Sequence, residues 1–372
     1  MYHSAIAALR PAELVTQEQS LDLLRQFVDE AVANAVAPNT RRLYDADWKQ
    51  YVTWCLLAGF EPLPADPQAV GLYLIDLSRQ VRDDGRPRLK PSSISRHLAA
   101  ISYRNNAEGF GSGLGKHPHV VAVMSGIRRL GDATVARCHP ILLEDFKTIV
   151  AAMRHNRFPD GTVAARDTLA LGIGFAGAMR RSEVAALRTK DVCLDHDGLR
   201  IFVAESKTDQ VGEGVTLAIP YGNFATTCIP CALVRWSRLV ACNADRSKMM
   251  QLQFRTGGTH GWKHVCREGV EETDPNAPLL RRVDKHGNIH AVGITGGALN
   301  EVVKRRMQAA GYDPAPYGYH SLRAGFVTQA RRNGADTRSI KHQTRHGSDA
   351  MVELYDREYN PLQANAVLSL GL

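Results

Sequence analysis

The stretch GAMRRSEVAALRTKDV, residues 177–192, passes from a small-residue turn into a short charged helix. Arg180 follows the turn, and Glu183 sits three positions on, where one helical turn lets a carboxylate orient or pair with a guanidinium. Upstream, ILLEDFKTIVAAM (141–153) and RDTLALGIGFAGAM (166–179) read as helices, the second apolar and ending in small residues. Downstream, Leu199, Ile201 and Val203, then Val215, Leu217 and Ile219, alternate with period two around the polar turn TDQVGEG, which predicts a hairpin. ESKTDQ (205–210) places Lys207 at the end of its first strand. The remainder reads as mostly helical, apart from an irregular stretch over about 243–294.

Ahead of this region the pattern is helical throughout. Thr16 with Gln19 makes a capping box for a helix reaching about Asn34, and Pro38 ends it. A second helix starts at Asn39, with Tyr44, Trp48, Tyr51, Val52 and Cys55 on one face, Arg41, Arg42 and Lys49 on others, and Gly59 as its stop. Asp66-Pro67 caps a third helix with Val70, Tyr73, Leu74 and Leu77 inward. Pro91 opens a fourth with Ile94, Leu98 and Ile101 inward and Arg96, His97 and Arg104 outward. A fifth turns Val120, Val123 and Ile127 inward, beside Arg128 and Arg129. GDATVARCHP, residues 131–140, loses the helical period and reads as a linker. The organisation expected is an N-terminal helical extension (1–37), a helical bundle (38–130), the linker (131–140) and a mixed α/β domain with a C-terminal tail (141–372). The fold class is mainly α with a small β-hairpin.

The 372 residues exceed what one ordinary core holds, and 44% hydrophobic with 23% charged residues is the composition of a folded protein. Lys and Arg outnumber Asp and Glu by 46 to 38, a net +8 that favours a polyanionic partner without identifying one. Seven scattered cysteines do not make a secreted disulfide framework, and no apolar run suits a signal peptide or a membrane span. A soluble cytoplasmic, nucleoid-associated protein is expected.

Two further segments complete the chemistry. HSLRAGF (320–326) sets His320 and Arg323 three apart on one helical face, and RHGSDAMVELYDREY (345–359) sets His346 nine residues before Tyr355. These four blocks, in this order and with this His-to-Tyr interval, resemble the catalytic segments of tyrosine recombinases of the phage integrase family, and the resemblance runs from about Asn39 to the C-terminus.

The resemblance implies a helical, SAM-like core-binding domain and a catalytic domain that cleaves and rejoins duplex DNA through a 3′-phosphotyrosyl link, without metal, ATP or other cofactor. Metal-free phosphodiester cleavage needs a nucleophile, cationic donors for the phosphoryl oxygens and an acid for the leaving oxygen. By resemblance these are Tyr355, then Arg180 and Arg323, then Lys207. His320 handles the tyrosyl proton, His346 donates to the phosphate, and Glu183 supports Arg180. Tyr359 is the alternative nucleophile. Candidate DNA contacts in the first domain are Arg41, Arg42, Arg96, His97 and Arg104. Partners implied are paired recombination sites, and a homotetramer in the synapse built from subunits monomeric when free. The apolar tail LQANAVLSLGL (362–372) would dock on a neighbouring subunit.

Arg345 departs from the pattern, since many relatives have Gly before this histidine. Two rival readings share parts of the pattern. One is a type IB topoisomerase-like enzyme, against which the helical first domain and apolar tail argue. The other is a DNA-binding regulator without catalysis, against which the complete residue set argues. GSGLGKH (111–117) is not a phosphate loop, because Phe110 stands at its first glycine position and His117 at its Ser/Thr position. Cys228 and Cys231, with His260, His264 and Cys266 far downstream, have a longer interval than zinc fingers use and no second CxxC. They default to buried or free thiols, and no metal is expected. Lys304-Arg305-Arg306 reads as a solvated helix face.

Overall fold

The structure, a computed structural model, describes residues 21–28, 36–131, 138–204, 214–257 and 260–353. The chain divides into two compact units, Met1–Val135 and Ala136–Leu372. Residues 21–28 are helical; the rest of the helix expected over 16–34 lies outside the described residues.

The first unit contains α1 (Pro38–Ala58), α2 (Pro67–Arg79), α3 (Pro91–Ala107) and α4 (Pro118–Leu130). Proline opens α2, α3 and α4, where its fixed φ suits the helix and its missing N–H leaves no bond unmade. Asp66 caps α2, its carboxylate accepting from the Ala69 N–H at 2.9 Å, and Gly59 ends α1 in the left-handed conformation at φ 76°. Tyr51, Tyr73, Leu74, Ile94, Ile101 and Val120 meet in the core. In the GSGLGKH loop, Leu114 is buried against this core.

His97 does not face outward. It is 2% exposed, because Ile94, His97 and Ile101 share one helical stripe and the polar member of that stripe finds partners inside. Its Nε2 faces Asp47 Oδ1 at 3.3 Å, and its Nδ1 accepts from the Tyr73 hydroxyl at 3.0 Å. Burial holds its pKa below the ordinary value, against the pull of Asp47. Arg96 donates twice to the same carboxylate, at 2.7 and 3.0 Å, and Arg104 pairs with Asp45 at 3.3 Å. Arg42 is exposed and donates to Asn39 at 3.1 Å; Arg41 is half-buried.

The second unit begins with α5 (Leu143–Ala151), α6 (Asp160–Ala176) and α7 (Arg181–Ala186). An antiparallel sheet follows, in the order β1 (Val192–Leu194), β2 (Gly198–Val203), β3 (Val215–Pro220). The alternation that predicted the hairpin is its register: Leu199 pairs with Ile219, Ile201 with Leu217 and Val203 with Val215. Then come α8 (Ile229–Ala241), α9 (Arg246–Phe254), a ribbon of β4 (Arg281–Val283) and β5 (Ile289–Gly293), α10 (Gly296–Ala309), α11 (His320–Arg332), α12 (Thr337–Thr344) and α13 (Asp349–Glu353). The stretch read as irregular thus holds α9 and the ribbon. Asn243 joins them, bonding the Ile289 carbonyl at 2.7 Å and its N–H at 3.0 Å.

α6 is buried along almost its whole length, its few polar side chains included, and the unit is built around it. The Lys304-Arg305-Arg306 face is solvated at Arg305, which stays exposed, but not at Arg306. Both reach the fully buried Asp167 of α6, at 3.2 and 2.8 Å, where Arg166 also donates at 2.6 Å. Close approach is sharpest at Gly325 of α11, where a Cβ would lie 1.7 Å from the Ile141 carbonyl oxygen.

Gly325→Ala therefore forces the α11 backbone off Ile141 and should cost about 3 kcal/mol or more. Gly126→Ala, in the middle of α4 with nothing within 4 Å of its Cβ, should stabilise by about 0.5–1 kcal/mol. Urea denaturation of the two variants checks both signs; a Gly325→Ala protein as stable as the parent would contradict the packing described.

Candidate active site

After α6 the chain turns at Gly177 and Ala178, and Ala178 takes φ 47°, a left-handed value rare for a residue with a side chain. The turn is held from across the unit: Arg323, on the first turns of α11, donates from Nη1 to the Ala178 carbonyl at 2.6 Å. Arg323 is 1% exposed, so this bond is made away from solvent. Arg180 then caps α7, and Glu183 answers it twice. Glu183 accepts from the Arg180 backbone N–H at 2.8 Å and from the Arg180 Nη1 at 2.7 Å. The pairing read from their spacing is present.

Glu183 has a third partner that the sequence did not announce. Arg345 ends α12 in the left-handed conformation, φ 57° and ψ 43°, the position where glycine is common. An arginine there costs about 1–2 kcal/mol. Its guanidinium reaches 162 residues back to Glu183 and donates from Nη2 to Oε2 at 2.8 Å. Burial works against the charge on Glu183, but Arg345 and the two Arg180 donors outweigh it and hold the carboxyl below its ordinary pKa. Glu183 is therefore ionised at neutral pH, and one buried carboxylate fixes both the side chain of Arg180 and the turn that carries His346.

His346 is 7% exposed. Its Nδ1 meets the Thr344 hydroxyl at 2.9 Å, and that hydroxyl already donates to the Ile340 carbonyl at 2.7 Å. Nδ1 must then carry the proton, which leaves Nε2 as the acceptor in the neutral ring. Burial first, then the charges of Arg323, Arg180, His320 and Arg345, lower its pKa to about 4. That set of neighbours shows that the segments 177–192, 320–326 and 345–353 converge. Arg180, Arg323 and Arg345 all act on His346, and the one carboxylate, Glu183, is held by Arg180 and Arg345, so guanidiniums outnumber the carboxylate in a cluster suited to a phosphate.

His320, the first residue of α11, is exposed and lines a cleft of about 890 Å³ with Arg180, Arg181, Ser182, His139 and Lys304. Tyr355, Tyr359, Lys207 and the segment 362–372 lie outside the described residues. Among the described residues no helix is long and apolar enough to cross a membrane.

Residues 141–360, more than half of the chain, match the phage integrase family. An integrase/recombinase XerD homologue of Selenomonas ruminantium is 30% identical over 333 residues, 89% of this chain and 85% of that protein. The fold resembles the Tn1549 transposon integrase solved with transposon right end DNA, at TM-score 0.53 and 14% identity over 92% of this chain and 96% of that one. It also resembles a lambda integrase dimer bound to a COC′ core site, at TM-score 0.50 and 14% identity over 91% and 78% of the two chains. With the family match spanning most of the second unit and the curated relative nearly the whole chain, this protein belongs to the phage integrase family of tyrosine recombinases.

Proposed function

We propose that the chain recombines duplex DNA at specific sites by attack of the Tyr355 hydroxyl on a backbone phosphate. The observation that carries this reading is the convergence of Arg180, Arg323, His320 and His346, from three separated segments, into one site with surplus positive charge. Arg180 and Arg323 would hold the non-bridging oxygens, their planar forks suited to phosphate. Lys207 would protonate the leaving 5′-oxygen, and His320 would take the tyrosyl proton. The 3′-phosphotyrosyl link keeps the energy of the broken ester, so a second 5′-hydroxyl reverses the step without ATP.

His346 begins this cycle as a neutral ring whose Nδ1 is engaged by the Thr344 hydroxyl. A bound phosphate raises its pKa, so protonation on binding DNA turns Nε2 into the donor that the phosphate needs. The cations do the work that a metal does in other phosphoryl-transfer sites. The solved relatives' DNA complexes support duplex DNA as partner, with the first unit, through exposed groups such as Arg42, sharing the phosphate contacts. Paired inverted repeats and a tetrameric synapse, with the 362–372 segment passed between subunits, belong to the same proposal.

Tyr355→Phe should bind a half-site normally and form no covalent complex on a nicked suicide substrate, whereas Tyr359→Phe should cleave. Denaturing gel electrophoresis reads both, and a covalent band from Tyr355→Phe would reassign the nucleophile. Cleavage by the parent should persist in buffer without magnesium.

His346 also predicts a pH dependence. Its folded pKa, about 4, lies below the ordinary 6.5, so its contribution is whole above pH 6.5 and is lost as the pH falls toward 4. The unfolded chain takes the proton first, and the loss from this group approaches about 3 kcal/mol. Denaturant titrations between pH 7 and 4 should show a shallower fall for His346→Gln than for the parent; parallel curves would place the ring in water.

A further inference from the structure

We infer that Cys228, Cys231, His264 and Cys266 form a structural zinc site. The three sulfurs and one imidazole nitrogen lie within 4.8 Å of one another. A tetrahedral zinc with bonds of about 2.0–2.3 Å sets its donors roughly 3.5–3.8 Å apart, so each donor need move inward by no more than about 0.6 Å. Two spacings are already there: His264 Nδ1 is 3.4 Å from Cys231 Sγ and 3.8 Å from Cys266 Sγ. Cys-x2-Cys against a distant His-x-Cys looked too widely spaced in the sequence. The interval holds α8 and α9, which carry the chain out and back, so sequence separation is no obstacle. His260 does not join the cluster; its ring packs on Phe254 at 4.9 Å.

The surroundings are those of a metal site. His264 Nε2 faces the Asn223 carbonyl at 3.3 Å, and a carbonyl only accepts, so Nε2 carries the proton. The Nδ1 lone pair is thereby aimed at the sulfurs, with its orientation fixed by an outer partner as metal-bound histidines usually have. Backbone N–H groups point at two of the sulfurs: Gly222 donates to Cys228 at 3.4 Å and Val265 to Cys231 at 3.3 Å. Such donors stabilise thiolates, as does the start of α8, where Cys228 is the N-cap and Cys231 lies in the first turn. All three cysteines are buried and free of disulfides. Three thiolates and an imidazole select a soft or borderline ion of tetrahedral habit, and four protein donors leave no position open for substrate.

The site has a structural purpose visible in the fold. Residues 260–280 have little regular structure, a length of chain that seldom stays ordered unaided. Described ties to α8 include Arg235, which donates to the Lys263 carbonyl at 2.7 Å and stacks on Trp262, and Arg238 with Glu268 at 2.7 Å. A zinc ion bridging the start of α8 to His264 and Cys266 would anchor this segment.

The test is metal content of the full-length, reduced protein purified without a histidine tag. One zinc per chain is expected, with less than about a tenth of that in Cys231→Ala and Cys266→Ala and full content in Cys193→Ala, whose exposed thiol is outside the cluster. Removing the ion should lower the melting temperature, and cobalt in its place should give the intense visible bands and thiolate charge transfer of a tetrahedral site. If the alanine variants fail to fold, His264→Cys decides, since it keeps four donors and should retain zinc with an all-thiolate cobalt spectrum. Folded parent protein without zinc and without that cobalt spectrum would overturn the assignment. So would zinc retained in both alanine variants, or a Cys228–Cys231 disulfide in the native protein.

Discussion

Glu183 sits buried between two guanidiniums, and the geometry of the arginine cluster depends on it. At an effective dielectric near 20, like charges about 4 Å apart repel by about 4 kcal/mol, so arginines do not gather in a protein interior unaided. Glu183 binds Arg180 through backbone and side chain and Arg345 through its guanidinium. It thereby joins the start of α7 to the end of α12. Arg323 completes the frame by holding the Ala178 carbonyl from α11. Side chains from three segments thus fix one another, the preorganisation that the proposed phosphate chemistry would use.

Much of this was legible because function requires fixed local spacings. Arg180 and Glu183 lie one helical turn apart, as do His320 and Arg323, and strand alternation gave the register of β2 with β3 down to the residue pairs. What the sequence hid was long-range. Arg345 looked like a departure from a glycine position; it is in the left-handed conformation that glycine favours, and its long side chain adds the tie to Glu183. His97 looked like surface because polar residues usually are, yet Asp47 and Tyr73 satisfy it within the helical stripe. Arg306 looked solvated, and Asp167 draws it in. In each case a buried ionic or hydrogen-bonding partner, distant in sequence, reversed the local reading.

The same lesson applies to the cysteines. Interval counting treats the chain between ligands as a loop, whereas here it is two helices that return close to their start. The site for chemistry and the cluster of sulfurs are then different solutions to related problems. As proposed, one gathers positive charge around a carboxylate to receive an anion and the other gathers donors that favour a cation.

The most direct test of this account is single-turnover cleavage by Glu183→Gln on a suicide half-site, in protein whose circular dichroism matches the parent. The amide keeps the shape and removes the charge that orders Arg180 and Arg345. Cleavage should slow by about a hundredfold or more, the size of losing one preorganised donor at a developing charge, while half-site affinity changes far less. Cleavage at the parent's rate would contradict the claim that this buried carboxylate organises the phosphate site.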